Sequence, residues 1–132
     1  MAKLVTLHDA NGEVIYPQTI SDMDYSTSEQ DTGCKWIDGK KIYKKTINIG
    51  TLPNATTKTV AHGISNLGLV IKAEGFSSES SGVRVTFPFS SVVSVADQVA
   101  MRFEATNIVI TTGLNRSNFS GYVTLWYTKT TD

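Results

Sequence analysis

Cys34-Lys35-Trp36-Ile37-Asp38-Gly39-Lys40-Lys41-Ile42-Tyr43-Lys44-Lys45-Thr46-Ile47-Asn48-Ile49 reads as two strands joined by a tight turn. Asp-Gly tolerates the positive φ angles of a type I′ turn, and that turn matches the twist of paired strands. A two-residue loop at Asp38-Gly39 sets Ile37 opposite Lys40, Trp36 opposite Lys41 and Cys34 opposite Tyr43. Side chains alternate along a strand, so Cys34, Trp36, Tyr43, Ile47 and Ile49 are expected on one apolar, aromatic face. Lys35, Lys40, Lys44, Thr46 and Asn48 take the other face, with Ile37 and Ile42 as apolar exceptions. One dry face and one mostly wet face is the pattern of an antiparallel sheet.

The rest of the chain repeats the theme. Leu4–His8 and Glu13–Tyr16 flank the turn signal Asn11-Gly12, and Pro17, which has no amide donor, stops the pairing. Residues 18–33 are polar. Ser26 with Glu29 fits a capping box and Gly33 a stop, so one helical turn is expected near 27–31. Further strands are expected at Thr57–His62, at Leu67–Glu74 (a central strand), at Val83–Phe89, at Val99–Ala105, at Ile108–Thr112 and in the closing Ser120–Lys129. Val83, Val85, Phe87 and Phe89 are expected inside, as are Val99, Met101 and Phe103. Pro88 places the end of its strand at an edge or bulge. Gly75–Gly82, rich in serine, and Gly113–Gly121 read as loops. Turn signals recur every 8–15 residues or so, and no long segment has helical periodicity. The expected fold is therefore an all-β antiparallel β-sandwich of Greek-key or jelly-roll type. A short N-terminal hairpin and linker (1–33) precede the sandwich domain (34–132).

Composition narrows the chemistry. A chain of 132 residues is one domain with a real core. Twelve basic and twelve acidic residues cancel, so no global field favours nucleic acid. The N-terminus lacks a long apolar run with a cleavage site, and no stretch reaches the roughly 20 apolar residues of a membrane span. The expectation is a chain made in a cytoplasm, with no membrane insertion. Cys34 is the single cysteine and is expected as a small buried hydrophobe. Two histidines, His8 and His62, make no zinc signature with it. Asp22-Met23-Asp24 opens like a calcium loop, but Thr27 and Gly33 stand where glycine and a bidentate glutamate are needed. No Gly-x-Ser-x-Gly elbow, phosphate loop or dinucleotide fingerprint is present. No metal, no cofactor and no catalytic residue is expected. His62 reads as a structural residue at a strand end, and the lysines of the hairpin as a solvated outer face.

Trp36-Ile37-Asp38-Gly39-Lys40, then Ile42-Tyr43, with Tyr25-Ser26-Thr27-Ser28-Glu29-Gln30 before them, resemble the receptor-binding or tail-fibre head domains of double-stranded DNA bacteriophages. His62-Gly63-Ile64 and the closing Tyr127–Asp132 fit the same resemblance, which spans roughly residues 25–132. It implies a virion structural protein that attaches a phage to its bacterial host, not an enzyme. The alternative it allows is a capsid or tail decoration protein without receptor binding. It also implies a homotrimer, and attachment to other virion proteins through the N-terminal segment.

Two sets of residues carry the functional expectations. The loop residues Asn115, Arg116, Asn118 and Phe119 combine amides, a guanidinium and a ring, groups suited to a bacterial surface glycan or protein. The serine-rich stretch 75–82 is the second place for such a contact. Ile37 and Ile42 sit on the nominally polar hairpin face, and Trp126 and Tyr127 point to opposite sides of one strand. These four are expected to form a subunit interface.

Overall fold

The structure, a computed structural model, describes residues 7, 8, 10–12, 14, 15 and 24–132. Pro17 and the start of the calcium-like stretch at Asp22 lie outside the described residues. The short N-terminal hairpin forms between β1 (Leu7–His8) and β2 (Val14–Ile15), which pair antiparallel, Leu7 with Ile15 and His8 with Val14. Gly12 takes a φ of 83° in its turn.

From Gln30 onward the described residues form two antiparallel sheets. The larger contains β3 (Gln30–Lys35), β4 (Lys41–Thr51), β6 (Leu67–Ser78), β7 (Arg84–Phe87) and β10 (Ser120–Lys129), in the order β3-β4-β10-β6-β7. The smaller contains β5 (Thr57–Ala61), β8 (Val99–Phe103) and β9 (Asn107–Thr112), in the order β5-β9-β8. The last strand lies in the middle of the larger sheet, between β4 and β6, so the chain crosses repeatedly from sheet to sheet. This is the expected all-β sandwich.

The core lies between the sheets and follows the two-residue period of the strands. Ile47 and Ile49 of β4, Val123, Leu125 and Tyr127 of β10, and Val85 and Phe87 of β7 meet Val99 of β8 and Ile108 and Ile110 of β9. Leu52, Ile64 and Phe119 close the ends. Each such side chain contributes about 1.5–3 kcal/mol on burial. Phe89, Met101 and Phe103 pack against this cluster, as the alternation predicts, whereas Val83 is exposed. β7 is an edge strand and ends just before Pro88. Past the proline, Phe89 exchanges two backbone hydrogen bonds with Val99 and joins one sheet to the other.

The β3–β4 hairpin departs from its expected register by one residue. The Trp36 amide donates to the Lys40 carbonyl at 2.8 Å, and the Gly39 amide to the Trp36 carbonyl at 2.9 Å. The loop thus has three residues, Ile37-Asp38-Gly39, and closes with Gly39 at a φ of 86°. This is the second common hairpin geometry, a turn followed by a left-handed glycine. Asp38 favours it, because its Oδ1 accepts from the Lys40 amide at 3.0 Å.

Lys35 now faces Lys41, and Tyr43 faces Asp31 instead of Cys34. The ladder breaks between those pairs. There the Thr32 hydroxyl donates to the Ile42 carbonyl at 2.7 Å and accepts from the Cys34 amide at 3.2 Å, while Gly33 turns at a φ of 77°. A one-residue slip moves side chains to the opposite face. Trp36 is consequently half-buried and outside the core cluster, as is Cys34. Ile42 keeps the face opposite Tyr43, Ile47 and Ile49, as expected, but is buried there.

Two boundaries also move. Residues 27–31 form no helical turn, because Gln30 and Asp31 already pair with Lys44 and Tyr43. Residues 24–33 are therefore part of the sandwich and not a linker that ends at 33. β6 continues through Gly75 to Ser78, four residues beyond expectation. Gly75 marks no loop: a Cβ there would stand 2.5 Å from Phe87 Cδ2, so its missing side chain makes room for the ring on the neighbouring strand.

Candidate functional site

The outer face of the larger sheet is where polar and aromatic groups converge. β6, β10 and β4 lie side by side, with Phe76 opposite Tyr122 and Thr124 opposite Thr46. Alternation sends Val123, Leu125 and Tyr127 into the core and leaves Tyr122, Thr124 and Trp126 on the outside. Residues 24–29 run along the same face. The Thr46 amide donates to the Ser26 carbonyl at 2.9 Å, and Lys44 Nζ donates to the Asp24 carbonyl at 3.2 Å.

Between this segment and the strands lies a groove of about 400 Å³, lined by Tyr25, Ser26, Thr27, Thr46, Phe76, Tyr122 and Thr124. Three of these are aromatic and open to solvent: Tyr25 at 64% exposure, Phe76 at 56% and Tyr122 at 41%. The Phe76 and Tyr122 rings have centroids 6.0 Å apart and are tilted by 32°. They form a two-ring platform, with Tyr25 across the groove. The Thr46 and Thr124 hydroxyls hydrogen-bond each other at 2.9 Å in the floor. A hydroxyl carries one proton and two lone pairs, so the pair keeps capacity for a further partner.

Lys44 braces the wall. It is 1% exposed, and its ammonium lies 3.9 Å from the Tyr25 ring centroid and 5.6 Å from that of Trp126. Lys72 Nζ covers Trp126 from the other side at 4.4 Å. Cations over ring faces hold the rings in place while their stems exclude water. Trp126 is accordingly 3% exposed although it points away from the core. Lys44 is thus no part of a solvated lysine face.

The groove continues past Thr27 and Thr46 into a shallower pocket of about 260 Å³ that adds Lys45, Asn48 and His62. His62 is held by the backbone. Its Nδ1 accepts from the Ile64 amide at 3.0 Å, and its Nε2 lies 3.0 Å from the Glu104 carbonyl, which requires the proton on Nε2. Both nitrogens are engaged in closing a loop, so the ring is a strand-end fastener. Lys45 Nζ caps the same corner with a 2.8 Å bond to the His62 carbonyl.

The far end of the segment is clasped by Glu29, which accepts from the Tyr127 hydroxyl at 2.5 Å and pairs with Lys129 Nζ at 2.6 Å. Tyr43 stacks on Tyr127, centroid to centroid 6.0 Å. Burial and the bond to Glu29 push the Tyr127 hydroxyl far above the usual phenol range. A hydrogen bond to the Asp132 carboxylate, with some burial, raises Tyr43 to about 12.

The loop expected to touch a receptor is built differently. Phe119 is buried in the core, because its carbonyl and amide tie it to Leu52 and Arg116. Arg116 is half-buried, donates through Nη2 to the Asp97 carbonyl at 2.8 Å, and lies over the Phe119 ring at 5.5 Å. Asn115 Oδ1 accepts from the amide and hydroxyl of Ser117, and Asn118 is exposed. Two of the four residues thus hold the loop down, and the remaining amides form no ring-bearing surface with them.

The subunit-interface set is likewise taken apart. Ile42, Trp126 and Tyr127 are buried within the chain, and only Ile37, at the hairpin tip, is exposed, at 89%. Trp126 and Tyr127 both find cover because each side of β10 has its own lid, the opposing sheet on one side and the lysine-braced segment on the other.

The groove aromatics were harder to see in the sequence. Phe76 fell in a presumed loop and Tyr122 in a strand of unknown depth. The available signal was the alternation Tyr122-Thr124 against Val123-Leu125. Among the described residues, no three His, Cys, Asp or Glu side chains gather as a metal site. Comparison with protein-family models, with curated proteins and with solved structures finds no match for this chain.

Proposed function

We propose that the chain is a binding module, a fibre or receptor-binding head that holds a bacteriophage to the surface of its bacterial host through the groove of the larger sheet. The observation that carries this reading is the set of three open aromatic rings, Tyr25, Phe76 and Tyr122, around a hydroxyl-bearing floor. A soluble domain rarely leaves such rings together without a use for them. The resemblance of residues 25–132 to phage fibre heads supplies the setting. The bonded state of His62 supports a role in binding over catalysis, since no nitrogen of its ring is open to a substrate.

Adsorption of the purified protein to a panel of bacterial strains tests the reading. Binding to a strain is expected, and Phe76→Ala and Tyr122→Ala are expected to reduce it with unchanged melting temperature. Adsorption that ignores both substitutions overturns the groove as the attachment site. Absence of adsorption across the panel favours the decoration-protein alternative.

A threefold assembly belongs to the same proposal. Three weak sites on one fibre tip would raise avidity by about 10²–10⁴-fold. A solution mass near that of the 14.4 kDa chain removes this part of the proposal.

A further inference from the structure

We infer that the groove binds an uncharged glycan, longer than one sugar, laid across the strands from the Phe76–Tyr122 platform toward Asn48. This rests on the attachment reading above and names the chemistry of its ligand. The main groove has no lining residue with a formal charge. Its recognition groups are ring faces and hydroxyls. A ring face carries negative quadrupole charge, so it favours the C–H side of a sugar and repels a carboxylate or phosphate. An anion seated there would lose water without gaining a cation. The nearest candidates are already engaged: Lys44 lies under Tyr25 and donates to Asp24, Lys72 pairs with Glu74 at 3.1 Å, and Lys45, which lines the second pocket, donates to the His62 carbonyl at 2.8 Å. A neutral sugar loses far less, because its hydroxyls exchange water for the hydroxyls of Thr46, Thr124 and Ser26.

The length follows from the topology. The main groove crosses β6, β10 and β4, two strand spacings or about 10 Å. It shares Thr27 and Thr46 with the second pocket, where Asn48 is exposed; its Oδ1 accepts from the Gly50 amide at 2.8 Å, so the Nδ2 group is what it offers a ligand. Asn48 is the β4 partner of Tyr122, so it lies one strand spacing from Tyr122 and two, about 10 Å, from Phe76; a single ring stacked on Phe76 stops short of it, whereas a chain of two or more reaches it. The aromatic end thus supplies stacking and the Asn48 end supplies amide contacts to the next sugar.

The test uses the full chain on an array of neutral hexose oligomers of graded length, printed beside uronate- and phosphate-bearing oligomers. At least one neutral series is expected to bind, at least about tenfold more strongly as a trimer than as a monomer and about equally at low and high salt. Phe76→Ala and Tyr25→Ala are expected to lower that binding about tenfold or more. Asn48→Ala is expected to lower trimer binding while leaving monomer binding unchanged. Circular dichroism and melting temperature control for folding. Acidic oligomers that bind as well as or better than neutral ones, or binding that weakens steeply with salt, overturn the neutral ligand and leave the attachment reading intact. Binding that does not grow with length overturns the two-part site. Cell adsorption that depends on Phe76 while no array glycan binds also overturns the glycan inference and leaves attachment, through a different surface molecule, standing.

Discussion

The Tyr127 hydroxyl donates to Glu29 Oε2 at 2.5 Å and so ties the last strand to a residue 98 positions earlier. Lys129, two residues on, holds the other carboxylate oxygen at 2.6 Å. One carboxylate thereby pins the segment that carries Tyr25. Glu29→Ala removes a charge-assisted bond and an ion pair that is partly open to water, and should cost about 1–2 kcal/mol. Urea denaturation measures it. A loss under about 0.5 kcal/mol would mean that other contacts hold the segment.

The same pair makes an alkaline limit. Tyr127 has its folded-state pKa raised by burial and by its bond to Glu29, and Tyr43 is raised to about 12. An unfolded tyrosine ionises near pH 10 or so. Above that pH the unfolded chain releases protons that the folded chain keeps, so stability falls as pH rises. The contribution is fully present below about pH 10 and is lost as the pH climbs toward the folded values. Melting temperatures taken from neutral to strongly alkaline pH should show this decline, and Tyr127→Phe should flatten it. An equally steep decline in that variant would assign the effect to other groups.

The hairpin register has a mutational signature. Trp36 lies outside the core, whereas Leu125 is wholly buried in it. Leu125→Ala should cost about 2–5 kcal/mol and Trp36→Ala clearly less, about 1–2 kcal/mol. Equal losses in denaturant titrations would restore Trp36 to the core face and contradict the three-residue loop.

Gly75 and Phe87 are expected to be coupled. A methyl at Gly75 meets the Phe87 ring, so Gly75→Ala should cost about 1–3 kcal/mol by overpacking. In a Phe87→Leu background the same change should cost less, and a double-mutant cycle reads the difference. Additive effects would show that the ring moves aside freely.

Phe119→Ala should destabilise by about 3–5 kcal/mol, because the ring fills the end of the core. A receptor contact on an exposed loop would leave stability nearly unchanged. Thermal unfolding distinguishes the two roles.

Local pattern was enough for much of the architecture. Turn residues at Asn11-Gly12 and Asp38-Gly39, strict alternation in Val85–Phe87 and Val99–Phe103, and branched residues in Ile108–Ile110 are short-range signals, and they specified strands, turns and an inward face. They made the sandwich legible because a half-buried strand must repeat every two residues whatever it packs against. Register was different. Asp38-Gly39 suits both a two-residue and a three-residue loop, and the choice between them turns on a bulge at Thr32-Gly33 that only pairing with Ile42 explains. The fates of Trp126, Phe119 and Lys44 were likewise invisible, because each is buried by a partner distant in the chain. The groove belongs wholly to tertiary structure. Its rings come from residues 25, 76 and 122, and only the insertion of β10 between β4 and β6 sets them on one face.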